Sequence, residues 1–591
     1  MKEILIINLT RMGDLIQTGP LMRGLKTACP DRRITLLANS PFAEICNGIP
    51  FIDELILFDM KGYRDCLRDG KHSLVRNYRF LEELMNRINS RHYDLAVNVT
   101  HSPVSALITS LVDAEEVRGF TVDSEGHRVI RHPWMRYFFN VIPNRAYNSF
   151  HLVDMYLKIG AVPPSRQGLI YHILPESEDR AAALLNGEGV QEHDLLIGIH
   201  LGASKSDKAW PVESYAELAD MIAGRLRGKI LLFGSPGESG LARRFETRMQ
   251  VRVHNFVGRT GISELAALLR RCRILVSNDT GPLHIATAVG TQVVDISNAN
   301  VHFMETGPYG EGHYVIQADL PCVPCGFDVQ CPDMVCKSSI TPQAVFEVVR
   351  CAVEGQELYA LPEDPCWNSL QVYRSCFHDD GYLWFIPLVR RSPTLETLYR
   401  IVYRYVWNGE DLWTADEVCL ISEGICRELS AYYRVGDTWE LTGAIMWDLH
   451  GLAHLNNLAE EAFCLAGRIE DESTEDTMNV AVMKDAYKKI EEIDGKIELA
   501  GHTHPGIRTL TLIYRYTREA MEGNDLSSVV CQARSMYHDL MVWSGNMQEL
   551  LKRIAPSPGA VSDGRPCELP AGTCAKEYMM STPGADQSTA G

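Results

Sequence analysis

Short β-branched runs alternate with amphipathic segments through the first half of the chain. "EILIINL", "RITLLAN" and "YDLAVNV" have the strand pattern, and the stretch "LIQTGPLMRGLKTAC" between two of them spaces its apolar residues as a helix does. This alternation predicts an α/β unit with a parallel sheet over residues 1–175. The pattern restarts with "DLLIGIHLG", "KILLFGS" and "RILVSND", each apolar run ending in Gly, Ser or Asp before a helical stretch. A second α/β unit is therefore expected over residues 176–355. From Thr394 the period changes: "TLETLYRIVYRYVWNGEDLW" and "MKDAYKKIEEIDGKIELA" are long helical patterns with little strand signal. These predict a helical domain over 394–554, joined by a linker over 356–393. The remainder, 555–591, is rich in Pro, Gly, Ser and Ala with one aromatic residue, and is expected to be a disordered tail.

Length and composition agree with this division. A chain of 591 residues is too long for one core, and 46% hydrophobic with 23% charged residues is ordinary globular composition. The formal charge of -19 argues against a general nucleic-acid binder, which would carry a basic footprint. No run of about 18 apolar residues occurs, and "MKEILIINLTRMGD" lacks the longer apolar core of a signal peptide. A cytoplasmic protein is expected. Its 17 cysteines are scattered and mostly in apolar contexts, as in "RRCRILVS", which reads as reduced buried thiols.

Ligands of open α/β sheets lie at the carboxyl ends of strands, so the polar strand ends carry the candidate chemistry. In "IINLTRMGDLIQTGP" a strand ends at Leu9 and a helix follows the turn, which sets Asp14 near the helix start. A first-turn carboxylate that satisfies free amides and a general base at a cleft both fit that position. In the second unit, "ASKSDKAWP" offers Ser204, Lys205 and Lys208 to a phosphate. "LLFGSPGESGLARR" places Glu238 where it could accept from ribose hydroxyls or open a helix. In "SNDTGPLHIATAVG", Asp279, Thr280 and Gly281 form the turn into a helix, Pro282 suits its first turn, and His284 follows. Amides at such a helix start suit a diphosphate, and an Asp cap beside a satisfied core histidine is the plainer reading.

Together, "NDTGPLHIATAVG", "RMGDLIQTGP" and "SDKAWP" resemble glycosyltransferase family 9, the ADP-heptose:lipopolysaccharide heptosyltransferases, over roughly residues 1–350. The resemblance implies a GT-B fold: two Rossmann-like domains facing a cleft, the first binding the acceptor and the second the nucleotide-sugar. It implies an inverting transfer of heptose from ADP-heptose to a lipopolysaccharide core or related glycan, with no cofactor required. Carried over, Asp14 would be the base and Gly13 would allow close approach. Lys208 would neutralise the diphosphate, and Glu238 would hold the ribose. Asp279 would bind the donor sugar, Thr280 and Gly281 would meet the phosphates, and His284 would support the loop. The stretch "VVDISNANVHFMETGPYG" departs from the family's usual turn, so another nucleotide-sugar stays open as donor. A non-catalytic scaffold acting through the helical domain is the contrasting class, against which the full set of site residues weighs.

Three further features carry expectations. "CVPCGFDVQCPDMVC" brings Cys322, Cys325, Cys331 and Cys336 within fifteen residues, which fits a structural zinc site, reduced packing cysteines or disulfides. Two basic stretches are candidate contacts for an anionic lipid-linked acceptor at a membrane surface. One runs from Lys61 to Arg91 and contains Arg64, Arg68, Lys71, Arg76, Arg79 and Arg87 with Tyr63, Tyr78 and Phe80. The other holds Arg128, Arg131 and Arg136 beside Trp134 and Phe138. Solvated helix faces would show the same pattern. His450, His454, His502 and His504 read as core and turn residues rather than metal ligands.

Overall fold

The computed structural model describes residues 2–68, 73–356, 361, 364–409, 411–435, 441–474, 479–523 and 525–555. Lys71 and all but the first residue of 555–591 lie outside them. The first sheet contains β1 (Glu3–Asn8), β2 (Arg33–Asn39), β3 (Glu54–Phe58), β4 (Tyr93–Asn98), β5 (Ala114–Val122) and β6 (Arg128–Arg131) in the order 3-2-1-4-5-6. All neighbours are parallel except β5 and β6. β1 lies at the centre of this sheet with five of its six residues buried, which is why its sequence is an uninterrupted apolar run.

The second sheet contains β7 (Leu196–His200), β8 (Lys229–Phe233), β9 (Val253–Asn255), β10 (Ile274–Asn278), β11 (Gln292–Ser297), β12 (Tyr314–Ala318), β13 (Leu370–Phe377) and β14 (Leu383–Pro387). Their order is 14-13-12-11-10-7-8-9. β13 and β14 correct the expected linker over 356–393: they form a hairpin that pairs antiparallel with β12. β14 is buried at every position, so the hairpin covers an edge that β12 would otherwise present to solvent.

In each sheet the strand order reverses at one place, between β1 and β4 in the first and between β7 and β10 in the second. Crevices beyond the carboxyl ends of strands open at such points. The units are also pinned together: Arg145 of the first pairs with Glu305 of the second at 2.6 Å, with both side chains nearly buried.

The helical part, from Leu395–Val406 to Leu526–Ile554, packs on the first α/β unit. Arg404, 2% exposed, ties its first helix to Asp380 at 2.7 Å and to the carbonyls of Ser149, Tyr382 and Leu383. Lys158 of the first unit sits over the rings of Trp134 and Tyr382 and donates to Asn408 at 2.7 Å. This packing corrects the reading of Arg128, Arg131 and Arg136 as a membrane-facing patch. Arg131 makes two 2.8 Å hydrogen bonds to Glu522, Arg128 faces Glu519, and Arg136 donates to the Ile130 carbonyl. Carboxylates of the chain's own helical part thus face two of these three arginines.

In the earlier basic stretch, Arg91 pairs with Glu3 and Glu54, and Arg87 donates to the Leu55 carbonyl. Tyr63 and Phe80 pack against Phe58. Lys61, Arg64, Arg76 and Arg79 stay exposed, as do Val75 and Tyr78. His450, His454 and His502 are exposed as well, a correction to the core reading, while His504 stacks on Trp447. Among the described residues no helix is long and apolar enough to cross a membrane.

Candidate active site

Asn8 ends β1 and organises the turn that follows. Its side chain donates to the Thr18 hydroxyl at 2.9 Å and accepts from the Thr10 amide at 3.1 Å. The helix Met12–Gln17 then starts with Arg11 as its cap, and Asp14 reaches back to accept from the Arg11 amide at 3.3 Å. Asp14 thus fills the first-turn position, satisfying a helix-start amide, while remaining at the cleft.

Across the cleft stands the helix Gly281–Ala288, which follows β10. The two helix starts touch. A Cβ on Gly13 would stand 2.7 Å from the His284 ring, and one on Gly281 would collide with Met12. At Gly13 the neighbour is a buried ring, so close approach favours glycine there, whereas the Met12 end that faces Gly281 is flexible. The Gln17 amide lies 3.1 Å from His284 Nδ1, which binds the first unit to the second at the site itself.

Asp279 is held on two sides. Its carboxylate lies 3.7 Å from His284 Nε2 and 4.0 Å from Lys208 Nζ. Burial alone would raise its pKa, but His284 and the Lys208 charge outweigh burial and keep the carboxyl below the ordinary value. Asp295, in the middle of β11, goes the other way: burial, reinforced by the neighbouring Asp279 charge, pushes it well above the usual carboxylate range. Burial and the neighbouring charges thus push the two carboxyls in opposite directions. His151 caps the helix Leu152–Ile159, donates to the Gly307 carbonyl at 3.0 Å, and is pushed down to about 3 by burial.

The other strand-end residues lie around this centre. Asn278 donates to the carbonyls of Leu201 and Gly202 and accepts from the Trp210 amide, which fixes the loop carrying Ser204 and Lys208 to the end of β10. Ser204 and Lys205 are exposed in that loop. The Thr280 hydroxyl is engaged within 3.3 Å of His200 and Ser277. Glu238 folds back over Gly202 and closes its own turn, accepting from the Ser235 amide at 2.6 Å and its hydroxyl at 2.8 Å. Burial works against its charge, yet His200 and Ser235 hold it at about 2.

Gln17, His151, Asn278 and Asp295 were not singled out from the sequence. An acid inside the apolar run "VVDIS" and an Asn closing "ILVSN" were the available signals; nothing local marks Gln17 or His151. The four clustered cysteines are free thiols: Cys322 and Cys331 are exposed, Cys325 half-buried and Cys336 buried. Among the described residues no group of three or more His, Cys, Asp or Glu is set to hold a metal ion.

Residues 81–333 match the family described as glycosyltransferase family 9 (heptosyltransferase). This span is a glycosyltransferase family 9 domain, and the chain is a glycosyltransferase. The chain is 26% identical over 332 residues to lipopolysaccharide heptosyltransferase 1 of Pseudomonas aeruginosa, covering 55% of this chain and 86% of that protein. It is 24% identical over 298 residues to lipopolysaccharide heptosyltransferase 3 of Escherichia coli K12, covering 49% and 80%. A glycosyltransferase family 9 structure from Veillonella parvula aligns with 60% of this chain and 98% of its own length, at 24% identity and a TM-score of 0.49. The family match begins after β3, so Asp14 enters the site through the packing of Met12–Gln17 on Gly281–Ala288 rather than through the match.

Proposed function

We propose that the protein transfers heptose from ADP-heptose to a lipopolysaccharide core or related glycan acceptor with inversion at the anomeric carbon. The observation that carries this reading is the meeting of two helix starts across one cleft. Met12–Gln17 brings Asp14, and Gly281–Ala288 brings the Asp279–His284 pair with Lys208 beside it. The heptosyltransferase names of the relatives supply the sugar and the acceptor class.

In the proposed reaction an acceptor hydroxyl attacks the anomeric carbon as the bond from that carbon to the diphosphate oxygen breaks. The hydroxyl proton passes to Asp14, and ADP leaves carrying the electron pair. Lys208 and the amides that open the helix Gly281–Ala288 take up the charge on the leaving diphosphate, with Ser204 beside it. Asp279, kept ionised, accepts from the donor sugar's hydroxyls, and Glu238 meets the ribose. No step uses a metal.

On this reading the enzyme works in the cytoplasm, on a lipid-linked acceptor at the membrane face. Exposed Arg76, Arg79, Val75 and Tyr78 on the helix Ser73–Ile88 are the surface for that contact. Each basic residue near anionic lipid contributes about 1 kcal/mol.

The test is a mass-spectrometric transfer assay with ADP-heptose, and with GDP- and UDP-sugars for comparison, on lipopolysaccharide core acceptors. Heptose addition from ADP-heptose supports the reading. Transfer from another nucleotide-sugar alone would reassign the donor, and no transfer from any donor would reject the reaction.

A further inference from the structure

The reversal point of the second sheet, between β7 and β10, holds the proposed donor site; that of the first sheet, between β1 and β4, presents a different surface. β1 leads to Asp14, and β4 leads through Val99 and Thr100 to His101. The Thr100 hydroxyl accepts from the Leu9 amide at 2.8 Å, which locks the two strand ends side by side. His101 is exposed, lies within the field of the Asp14 charge, and makes no hydrogen bond to any described residue. Its ring lies 4.6 Å from that of Phe138 and 5.7 Å from that of Phe139, both half-buried. Phe139 is anchored in turn on Phe120 at 5.3 Å.

Three rings held at a cleft beside a carboxylate, one of them with free ring nitrogens, combine an apolar wall with a polar handle. Small-ligand sites are built in that way. We propose that His101, Phe138 and Phe139 form the platform for the acceptor's sugar ring. The C–H face of the sugar lies on one phenyl ring with the other, nearly perpendicular to it, as a side wall; a hydroxyl pairs with His101, and the attacking hydroxyl is turned toward Asp14. This deepens, and rests on, the transferase reading above.

Desolvation lowers the imidazole's pKa and the Asp14 charge opposes it; a neutral ring both donates and accepts. The platform also gives the helical domain a task. Phe138 and Phe139 belong to the helix Pro133–Val141, and the helix Arg508–Glu519 packs directly against it. The hydrogen bond from Asn144 to Thr509 and the Arg131–Glu522 pair flank that contact.

The experiment compares wild type with His101→Ala, Phe138→Leu and the ring-preserving Phe138→Trp, using ADP-heptose and a de-acylated lipopolysaccharide core oligosaccharide. For His101→Ala and Phe138→Leu the oligosaccharide KM is expected to rise about tenfold or more, with kcat and the ADP-heptose KM within about twofold of wild type. Phe138→Trp, which keeps an aromatic face, is expected to raise the oligosaccharide KM less than Phe138→Leu does. An unchanged oligosaccharide KM in both variants would overturn the platform, as would a parallel rise in the ADP-heptose KM.

Saturation-transfer NMR of the same oligosaccharide on the ADP-bound protein reads binding without turnover. Contacts in wild type that vanish in Phe138→Leu support the platform, and no contacts in wild type would overturn it. Binding without transfer would reject the transferase reading while leaving the platform standing.

Discussion

Gly13 and His284, 271 positions apart in sequence, approach so closely that a single methyl group on the glycine would stand 2.7 Å from the imidazole. That contact sets the start of the helix Met12–Gln17 against His284, which itself lies 3.7 Å from Asp279. In Gly13→Ala either the imidazole or the helix start must move, at a cost of about 1–3 kcal/mol. Transfer is expected to fall more than tenfold while thermal unfolding shifts by only a few degrees. Wild-type turnover in this variant would show that the closed contact is not part of the working enzyme.

Asp295 gives the stability a particular dependence on pH. Its folded-state pKa is raised, so between about pH 4, where the unfolded chain ionises, and its elevated native value the folded protein binds the extra proton. Stability from this group is fully present below about pH 4 and declines as pH rises through that window. Asp295→Asn keeps an oxygen for the Ser297 hydroxyl and has no proton to lose. The variant should match wild type in Tm near pH 4 and exceed it at pH 8. A lower Tm at pH 8 would contradict a protonated Asp295.

Arg404 makes its contacts at the junction of all three parts of the chain. Arg404→Met removes the charge from beside Asp380 and strands three carbonyls, all of them in buried surroundings. The expected loss is about 3–5 kcal/mol, read from denaturant unfolding. A loss under about 1 kcal/mol would mean that the helical domain is held by its apolar packing alone.

The cysteines separate by reactivity. Exposed Cys322 and Cys331 should react with a thiol reagent in the native state, while buried Cys46, whose thiol is pushed up to about 12 by burial, should react only on unfolding. Treatment with a chelator should leave the Tm unchanged. Stoichiometric zinc in the purified protein, with slow labelling of Cys322 and Cys331, would contradict free thiols.

Much of this architecture is legible in the sequence because parallel strands announce themselves. β1, β7 and β10 are buried runs that end in polar turns, and Asp14, Lys208 and Asp279 follow at those ends. The hairpin of β13 and β14 was not legible, since antiparallel addition to β12 needs no crossover helix and so breaks the alternation that marked the other strands. Arg131 and Glu522 illustrate the other limit. They lie 391 residues apart, and a run of arginines among aromatics looks the same whether it faces lipid or a helix of its own chain. Gln17 and Asp295 matter through what the fold sets beside them, which local pattern does not encode.

The most direct test is calorimetric titration of ADP, GDP and UDP into wild type, Asp14→Asn and Asp279→Asn. Selective binding of ADP, unchanged in Asp14→Asn and weakened at least tenfold in Asp279→Asn, is the predicted result. It would place the nucleotide on the second unit and leave Asp14 free to act as base. A folded wild-type protein that binds none of the three nucleotides would contradict the account.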